Sequence, residues 1–229
     1  MDRKIDIESI IEVATALGEL NQKTVFVGGA VVGLYADDPA ADELRPTKDI
    51  DIAFEIVTLG QLENIRQVLS GKGFHPDPEE NVICRFLYNG ILVDVMSTKE
   101  IGWAPANSWF KEGFEHLEIV TLKKTTAIRI LPIAYFLATK FEAFHSRGKD
   151  PRTSHDLEDI IFVMDNRLNM VEEILTSPQH VLHHLQFEFT NLLSPTMEEA
   201  VYGHMNPLSR KDRFPLLMNK LHEVINPKR

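Results

Sequence analysis

Asp49 and Asp51 stand two residues apart in the run Thr47-Lys48-Asp49-Ile50-Asp51-Ile52, where acidic and apolar side chains alternate. Strand side chains point alternately to opposite faces. The two carboxylates, joined by Glu55 if the strand continues, therefore share one face, and Ile50, Ile52, Phe54 and Ile56 share the other. Like charges this close repel unless a cation lies between them. A hard divalent ion with oxygen ligands, Mg²⁺ above all, meets that need, particularly where substrate phosphates complete its shell. Upstream, Gly28-Gly29 follows the apolar run Thr24 to Val27 and precedes a short helical run, Ala30 to Tyr35. Glycine after a strand lets backbone approach a ligand closely, and a helix start turns N–H groups and a positive dipole end toward an anion. A phosphate cradle followed by paired carboxylates points to metal-assisted phosphoryl or nucleotidyl transfer. A further acid, Asp94, interrupts the apolar run Ile91 to Met96. A strand so apolar belongs in the middle of a sheet, and a buried charge is costly unless paired or metal-bound. Asp94 is then the partner of an Arg or Lys elsewhere, the third acid of a metal site, or the base that takes a proton from an attacking hydroxyl.

Gly28-Gly29, Asp49-x-Asp51 and Asp94, in that order and each on its strand or strand end, resemble the signature of the polymerase-β-type nucleotidyltransferase superfamily. The run Arg45-Pro46-Thr47-Lys48-Asp49-Ile50-Asp51 is similar to the R-x-T-x-D-I-D run of its AbiEii/AbiGii toxin-like branch, although the gap from Gly29 to Asp49 is longer than in the most compact members. Lys140, Arg147, Arg152, Asp156 and Asp159 stand in KFEAFHSRGKDPRTSHDLEDI, which is similar to that branch's K-x-x-A…R…D-x-x-D run. The resemblance implies an α+β nucleotidyltransferase fold, with a mixed sheet flanked by helices and a helical C-terminal part that completes the nucleotide site. It implies that Asp49, Asp51 and Asp94 hold Mg²⁺ and, with Lys140, carry catalysis. It implies nucleotide contacts from Gly28, Gly29, Thr47, Lys140, Arg147, Arg152, Asp156 and Asp159. Lys140 would contact the triphosphate or assist proton transfer, Arg147 and Arg152 would clamp phosphates, and the Asp156/Asp159 helix would organise the site.

The elements that must position these residues are legible in outline. Residues 7 to 20 have the spacing of an amphipathic helix. Thr58 to Gln61 fits a capping box opening a helix to about Ser70. Residues 74 to 81 are turn-rich. Val82 to Tyr88 and Ile91 to Met96 read as strands joined by Asn89-Gly90, a strong hairpin turn. Trp103 to Glu112 is irregular or a short helix, and Trp103 and Trp109 read as packing residues. Glu115 to Leu122 and Thr126 to Leu131 alternate like strands extending the sheet. Pro132 marks a change to helical pattern, which divides the chain into an α/β core over 1–131 and a helical domain over 132–229. In the second part a helix ends at Gly148, Lys149 to Arg152 forms a loop, and Ser154 caps a helix from His155 to Asn166. Roughly three more helices follow, with Pro207 to Phe214 breaking the pattern. In the helix that ends at Gly148, Lys140 shares a side with Ile133, Phe136, Leu137, Phe141 and Phe144, which a snorkelling lysine would also do.

At 229 residues and 44% hydrophobic composition the chain can bury a substantial core. A net charge of −10 argues against broad nonspecific nucleic-acid binding. The single cysteine, Cys84, excludes an internal disulfide and reads as a buried inert thiol. The histidines His183, His184 and His204 lack metal-ligand spacing. The opening residues carry no signal-peptide pattern and no apolar run could span a bilayer, so the expectation is a cytoplasmic protein that meets no membrane. The leading expectation is an enzyme that moves an NMP from an NTP to a hydroxyl acceptor on tRNA, protein or a small molecule. Members of the branch it resembles often act as toxins, some on tRNA acceptor ends, so an antitoxin protein is a further expected partner. A nucleotide- or partner-binding module without turnover, and a purely structural protein with an ion-paired acid cluster, are the alternatives.

Overall fold

A computed structural model of the chain describes residues 5–41, 44–77, 84–148 and 150–227. It divides into two compact units, Met1–Val31 with Arg45–Pro132, and Val32–Leu44 with Ile133–Arg229.

The first unit opens with α1 (Ile7–Leu17), whose start is closed by a capping box between Asp6 and Ser9. Gly18, at a φ of 55°, stops the helix before the expected Leu20, and a 3₁₀ stretch, Gly18–Lys23, leads into β1 (Thr24–Val27). A second 3₁₀ segment, Gly29–Leu34, follows the glycine pair. Then come β2 (Asp49–Phe54) and α2 (Leu59–Gly71), which carries the expected Thr58/Gln61 capping box. β3 (His75–Pro76), β4 (Arg85–Tyr88) and β5 (Ile91–Ser97) complete a five-stranded mixed sheet in the order β1-β2-β5-β4-β3. Only β2 and β5 run parallel; the other pairs are antiparallel. The strand that carries Asp94 is central, as its apolar composition requires. The β4–β5 turn has φ of 47° at Asn89 and 79° at Gly90, the backbone signature of a type I′ hairpin. Residues 78–81 of the turn-rich segment and 82–83 at the expected start of β4 lie outside the described residues.

After α3 (Phe110–Gly113), β6 (Glu118–Leu122) and β7 (Thr126–Ile130) form a sheet of their own rather than the expected extension. The carbonyl of Ala127 on β7 accepts from the Asn21 side chain at 2.9 Å, so a residue of the 3₁₀ stretch, not a strand, takes that hydrogen bond. β7 packs beside β1 with Ile128 and Ile130 buried, and needs no ladder to do so.

The second unit is helical: α4 (Ile133–Arg147), α5 (His155–Asn166), α6 (Met170–Leu175), α7 (Gln179–Leu192), α8 (Pro195–His204) and α9 (Arg210–Ile225). Its core includes Phe136, Phe141, Ile160, Val163, Leu185, Phe189 and Leu221. Four helices follow residue 169 among the described residues, against the three expected. The expected break at Pro207 to Phe214 is shorter than that, because α9 starts at Arg210 and runs through Pro215. A proline one turn in removes one intrahelical hydrogen bond without ending the helix. Lys149, in the expected loop before α5, lies outside the described residues.

Residues 35–38 are tied to these helices by hydrogen bonds, an ion pair and an aromatic stack. The N–H groups of Asp37 and Asp38 both donate to the Asn166 carbonyl, and Tyr35 stacks on Phe136 at 4.4 Å between centroids. Arg213 of α9 donates to Asp38 at 2.9 Å and to Asp165 at 2.8 Å. Lys220 donates to the carbonyls of Met164, Asp165 and Arg167, which lie at the end of α5 where helical partners run out.

The Ala40 N–H and then the Arg213 guanidinium hold the Asp38 carboxyl below its ordinary 3.8. A lowered carboxylate pKa contributes stability that is full above the ordinary value and is lost as pH falls through the folded one. Replacing Arg213 with Met is expected to cost roughly 1.5–3 kcal/mol at pH 7, the scale of lost hydrogen bonds to charged groups. The gap between variant and wild type should narrow as pH falls below 3.8. Urea unfolding of both proteins at pH 7 and pH 3 checks this.

Candidate active site

The acid face is built by strand register. On β2 the buried positions Ile50 and Ile52 alternate with half-buried Asp49 and Asp51, and on β5 buried Ile91, Val93 and Val95 alternate with half-buried Leu92, Asp94 and Met96. Burial of the apolar set thus turns the acids to the other side. Asp51 pairs with Asp94 and Asp49 with Leu92 across the parallel ladder. All three acids named from the sequence therefore lie on one face of two adjacent strands.

The face also holds a cation. Arg85 of β4 is directly opposite Asp94. Its Nε donates to Asp94 Oδ1 at 2.7 Å and its Nη2 to Asp94 Oδ2 at 2.8 Å, a two-pronged fork. The same Nη2 donates to Asp49 Oδ2 at 3.0 Å. Asp49 Oδ1 accepts from the Thr47 hydroxyl at 3.2 Å. Asp94 thus has the arginine partner that its place in an apolar strand demands. Beside it, burial and then the Asp94 charge push the Cys84 thiol up to about 11, which leaves it protonated and unreactive.

Gly28 has a φ of 70°, where side chains are strained. A Cβ there would stand 1.8 Å from Asp51 Oδ2, so the backbone at Gly28 lies directly on the Asp51 carboxylate. A Cβ on Gly29 would meet Thr47 Oγ1 at 3.3 Å and the Arg45 guanidinium at 3.7 Å. The glycine pair, Arg45, Thr47 and the acid face are thus one neighbourhood within the first unit.

The donor set suits a hard divalent ion in kind, being three carboxylates on one face. Two of the acids, Asp49 and Asp94, hold the Arg85 guanidinium, and among the described residues no group of three or more His, Cys, Asp or Glu side chains is placed to hold a metal ion.

The other sequence-named residues form a cluster within the second unit. Lys140 is buried on α4, and its Nζ donates to Asp159 Oδ2 at 2.7 Å and to Asp156 Oδ1 at 3.4 Å. Both carboxylates are buried on α5, one helical turn apart. The other oxygen of Asp156 accepts from Arg147 Nη1 at 2.6 Å. Lys140 therefore does not snorkel to water; its charge is met inside. Arg152 stands apart from this cluster, exposed and forked onto Asp150.

Arg85 and Arg45 were not among the residues singled out for chemistry. Arg85 follows Cys84 in what reads as an ordinary strand, and only the Asn89-Gly90 turn could have signalled it. Counting back from that turn pairs position 85 with position 94. Arg45 was legible only as part of its run. Trp103 packs against Phe86 and donates to Glu63, as expected of a packing residue.

The family model for the nucleotidyl transferase AbiEii toxin of type IV toxin–antitoxin systems matches residues 13–212. The chain belongs to the AbiEii family. It is accordingly a nucleotidyltransferase, from a family defined by toxin–antitoxin toxins. Among solved structures, an antigenic nucleotidyltransferase-like protein from Paracoccidioides brasiliensis is similar in fold, with a TM-score of 0.52 at 16% identity over 88% of this chain and 95% of that one. No curated protein matches the chain. No helix among the described residues of this AbiEii protein is long and apolar enough to cross a membrane.

Two substitutions probe the geometry. Gly28→Ala is expected to lower stability by about 1–3 kcal/mol, from the left-handed backbone and the forced displacement of Asp51. Lys140→Met should cost about 3–5 kcal/mol, because it leaves two buried carboxylates without their lysine. Urea denaturation followed by circular dichroism measures both.

Proposed function

We propose that the chain transfers an NMP from an NTP to a hydroxyl acceptor through the face formed by Asp49, Asp51 and Asp94, with Mg²⁺ as the metal. The observation that carries this reading is the in-register pairing of Asp51 with Asp94, with Asp49 on the same face and the Gly28-Gly29 backbone against Asp51. Asp49, Asp51 and Asp94 would hold the metal. Bound there, it would supply charge for the triphosphate and acidify the attacking hydroxyl.

The chain's own residues do the rest. Gly28 lets the Asp51 carboxylate lie against the backbone, and Gly29 keeps the chain beside Thr47 and Arg45, where phosphate oxygens would bind. Thr47 fixes the rotamer of Asp49 through its hydroxyl. Arg45, beside Gly29, offers a planar guanidinium for the β- and γ-phosphates. Lys140, held by Asp156 and Asp159, and Arg147 are the nucleotide-contacting cations we assign to the second unit. Arg152 is the weakest member of the set, since Asp150 already engages both prongs of its fork.

The acceptor is a hydroxyl on tRNA, protein or a small molecule, and family membership makes a cognate antitoxin the expected partner protein. Asp49→Ala and Asp51→Ala are each expected to reduce transfer at least ~10³-fold, the scale on which loss of a metal ligand removes transition-state stabilisation. Both should leave the fold intact, since neither acid belongs to the apolar core. The assay is release of pyrophosphate, and of label from α-³²P NTPs into RNA, protein and small-molecule pools. Full activity in both variants overturns the proposal.

A further inference from the structure

We propose that Arg85 is a resident counterion of the acid face, one that a divalent ion must displace, so that the site rests closed by arginine and opens when metal and nucleotide arrive together. The inference deepens the nucleotidyl-transfer reading and rests on it.

Three observations lead there. First, Arg85 occupies the oxygens that a metal needs: both of Asp94 through the fork, and Oδ2 of Asp49. A guanidinium cannot shed its proton to make way, so a dication on the same oxygens would face a fixed positive charge at hydrogen-bonding range. Second, the contact is held by backbone as well as by charge. The β4–β5 hairpin sets Arg85 directly across from Asp94, and their side chains are only 14% and 15% exposed. A pair this dry does not open without compensation. Third, Asp51 stands in register with Asp94 and on the face of Asp49, so a metal held by the acids would draw on the carboxylates that Arg85 holds.

The compensation is available from the substrate. Asp49, Asp51 and Asp94 bring three carboxylates to one face, a donor set that suits a dication. The displaced guanidinium then needs an anion, and a phosphate matches its planar fork. Metal alone therefore meets a closed site, whereas metal with a triphosphate satisfies both the acids and the arginine. Metal and nucleotide should bind cooperatively, and Arg85 should be the residue that makes them do so.

Mn²⁺ binding, read by electron paramagnetic resonance of the free ion, tests this on the full-length protein. It is measured alone and with α,β-non-hydrolysable analogues of the four NTPs. Arg85→Gln is expected to bind Mn²⁺ alone about tenfold more tightly than wild type, the effect of removing a like charge a few ångströms away. The same variant should lose most of the enhancement that the analogue gives wild type. Arg85→Lys, which keeps the charge and loses the fork, should fall between. Equal or weaker Mn²⁺ binding in Arg85→Gln overturns the proposal and leaves nucleotidyl transfer standing. Absence of Mn²⁺ binding in every protein with every analogue, or binding that survives in Asp51→Asn, overturns the transfer reading as well. Should Arg85→Gln fail to fold, the wild-type protein decides. The Arg85 Nε–H resonance, shielded from solvent exchange by Asp94, is expected to lose that shielding on addition of Mg²⁺ and analogue together, and unchanged shielding overturns the proposal.

Discussion

The register of β2 on β5 is the constraint on which the acid face depends. Because side chains alternate, sliding either strand by one residue would drive its carboxylates into the apolar layer and turn its isoleucines or valines out. Burial of Ile50, Ile52, Val93 and Val95 therefore does more than stabilise the sheet. It fixes which carboxylate stands beside which, with no polar contact needed to choose the alignment. The hairpin turn at Asn89-Gly90 extends the same logic by one strand and delivers a guanidinium to the acids. A short stretch of unremarkable strand chemistry thus assembles three negative groups and one positive group from separate parts of the chain.

The second unit solves its electrostatics differently. Lys140, Asp156 and Asp159 are all buried, and burying three ionised groups is not how a helix pair gains stability. An apolar set of similar volume packs as well without the desolvation cost. Between α4 and α5 one lysine meets two carboxylates, and Arg147 takes the second oxygen of Asp156. Arg213 and Lys220, by contrast, act as ties: they satisfy the last carbonyls of α5 and pair with the carboxylates of Asp38 and Asp165.

Much of this arrangement was legible in the residues. Alternation in Asp49 to Phe54 and in Ile91 to Ser97 showed which side chains share a face, because a period of two leaves no other reading. The apolar content of β5 placed it centrally, and Asn89-Gly90 marked the hairpin. The change to helical pattern was visible at Pro132, just before α4, but nothing in the pattern showed that residues 32–44 cluster with the helices. What stayed hidden was pairing over distance. Only counting residues back from the Asn89-Gly90 turn sets Arg85 against Asp94. The small β6–β7 sheet was misassigned for a related reason: alternation shows that a segment is a strand but not which neighbour receives its hydrogen bonds. Lys140 was ambiguous because its partners lie on another helix, and a lysine among apolar positions looks the same whether it reaches water or a carboxylate.

The excursion from residue 32 to residue 44 accounts for the long gap between Gly29 and Asp49. The chain leaves the first unit just after its glycine pair and returns just before its acid strand, and in between it is bound by Phe136, Asn166 and Arg213 of the second. Loop-closure entropy changes slowly with length, so the excursion itself is cheap to lengthen or shorten. Its anchors are not. A shorter version would strip Arg213 of one carboxylate and uncover the face of Phe136. Segment length here and side-chain identity at positions 136, 166 and 213 are therefore coupled characters: the one cannot drift far among related chains unless the others drift with it.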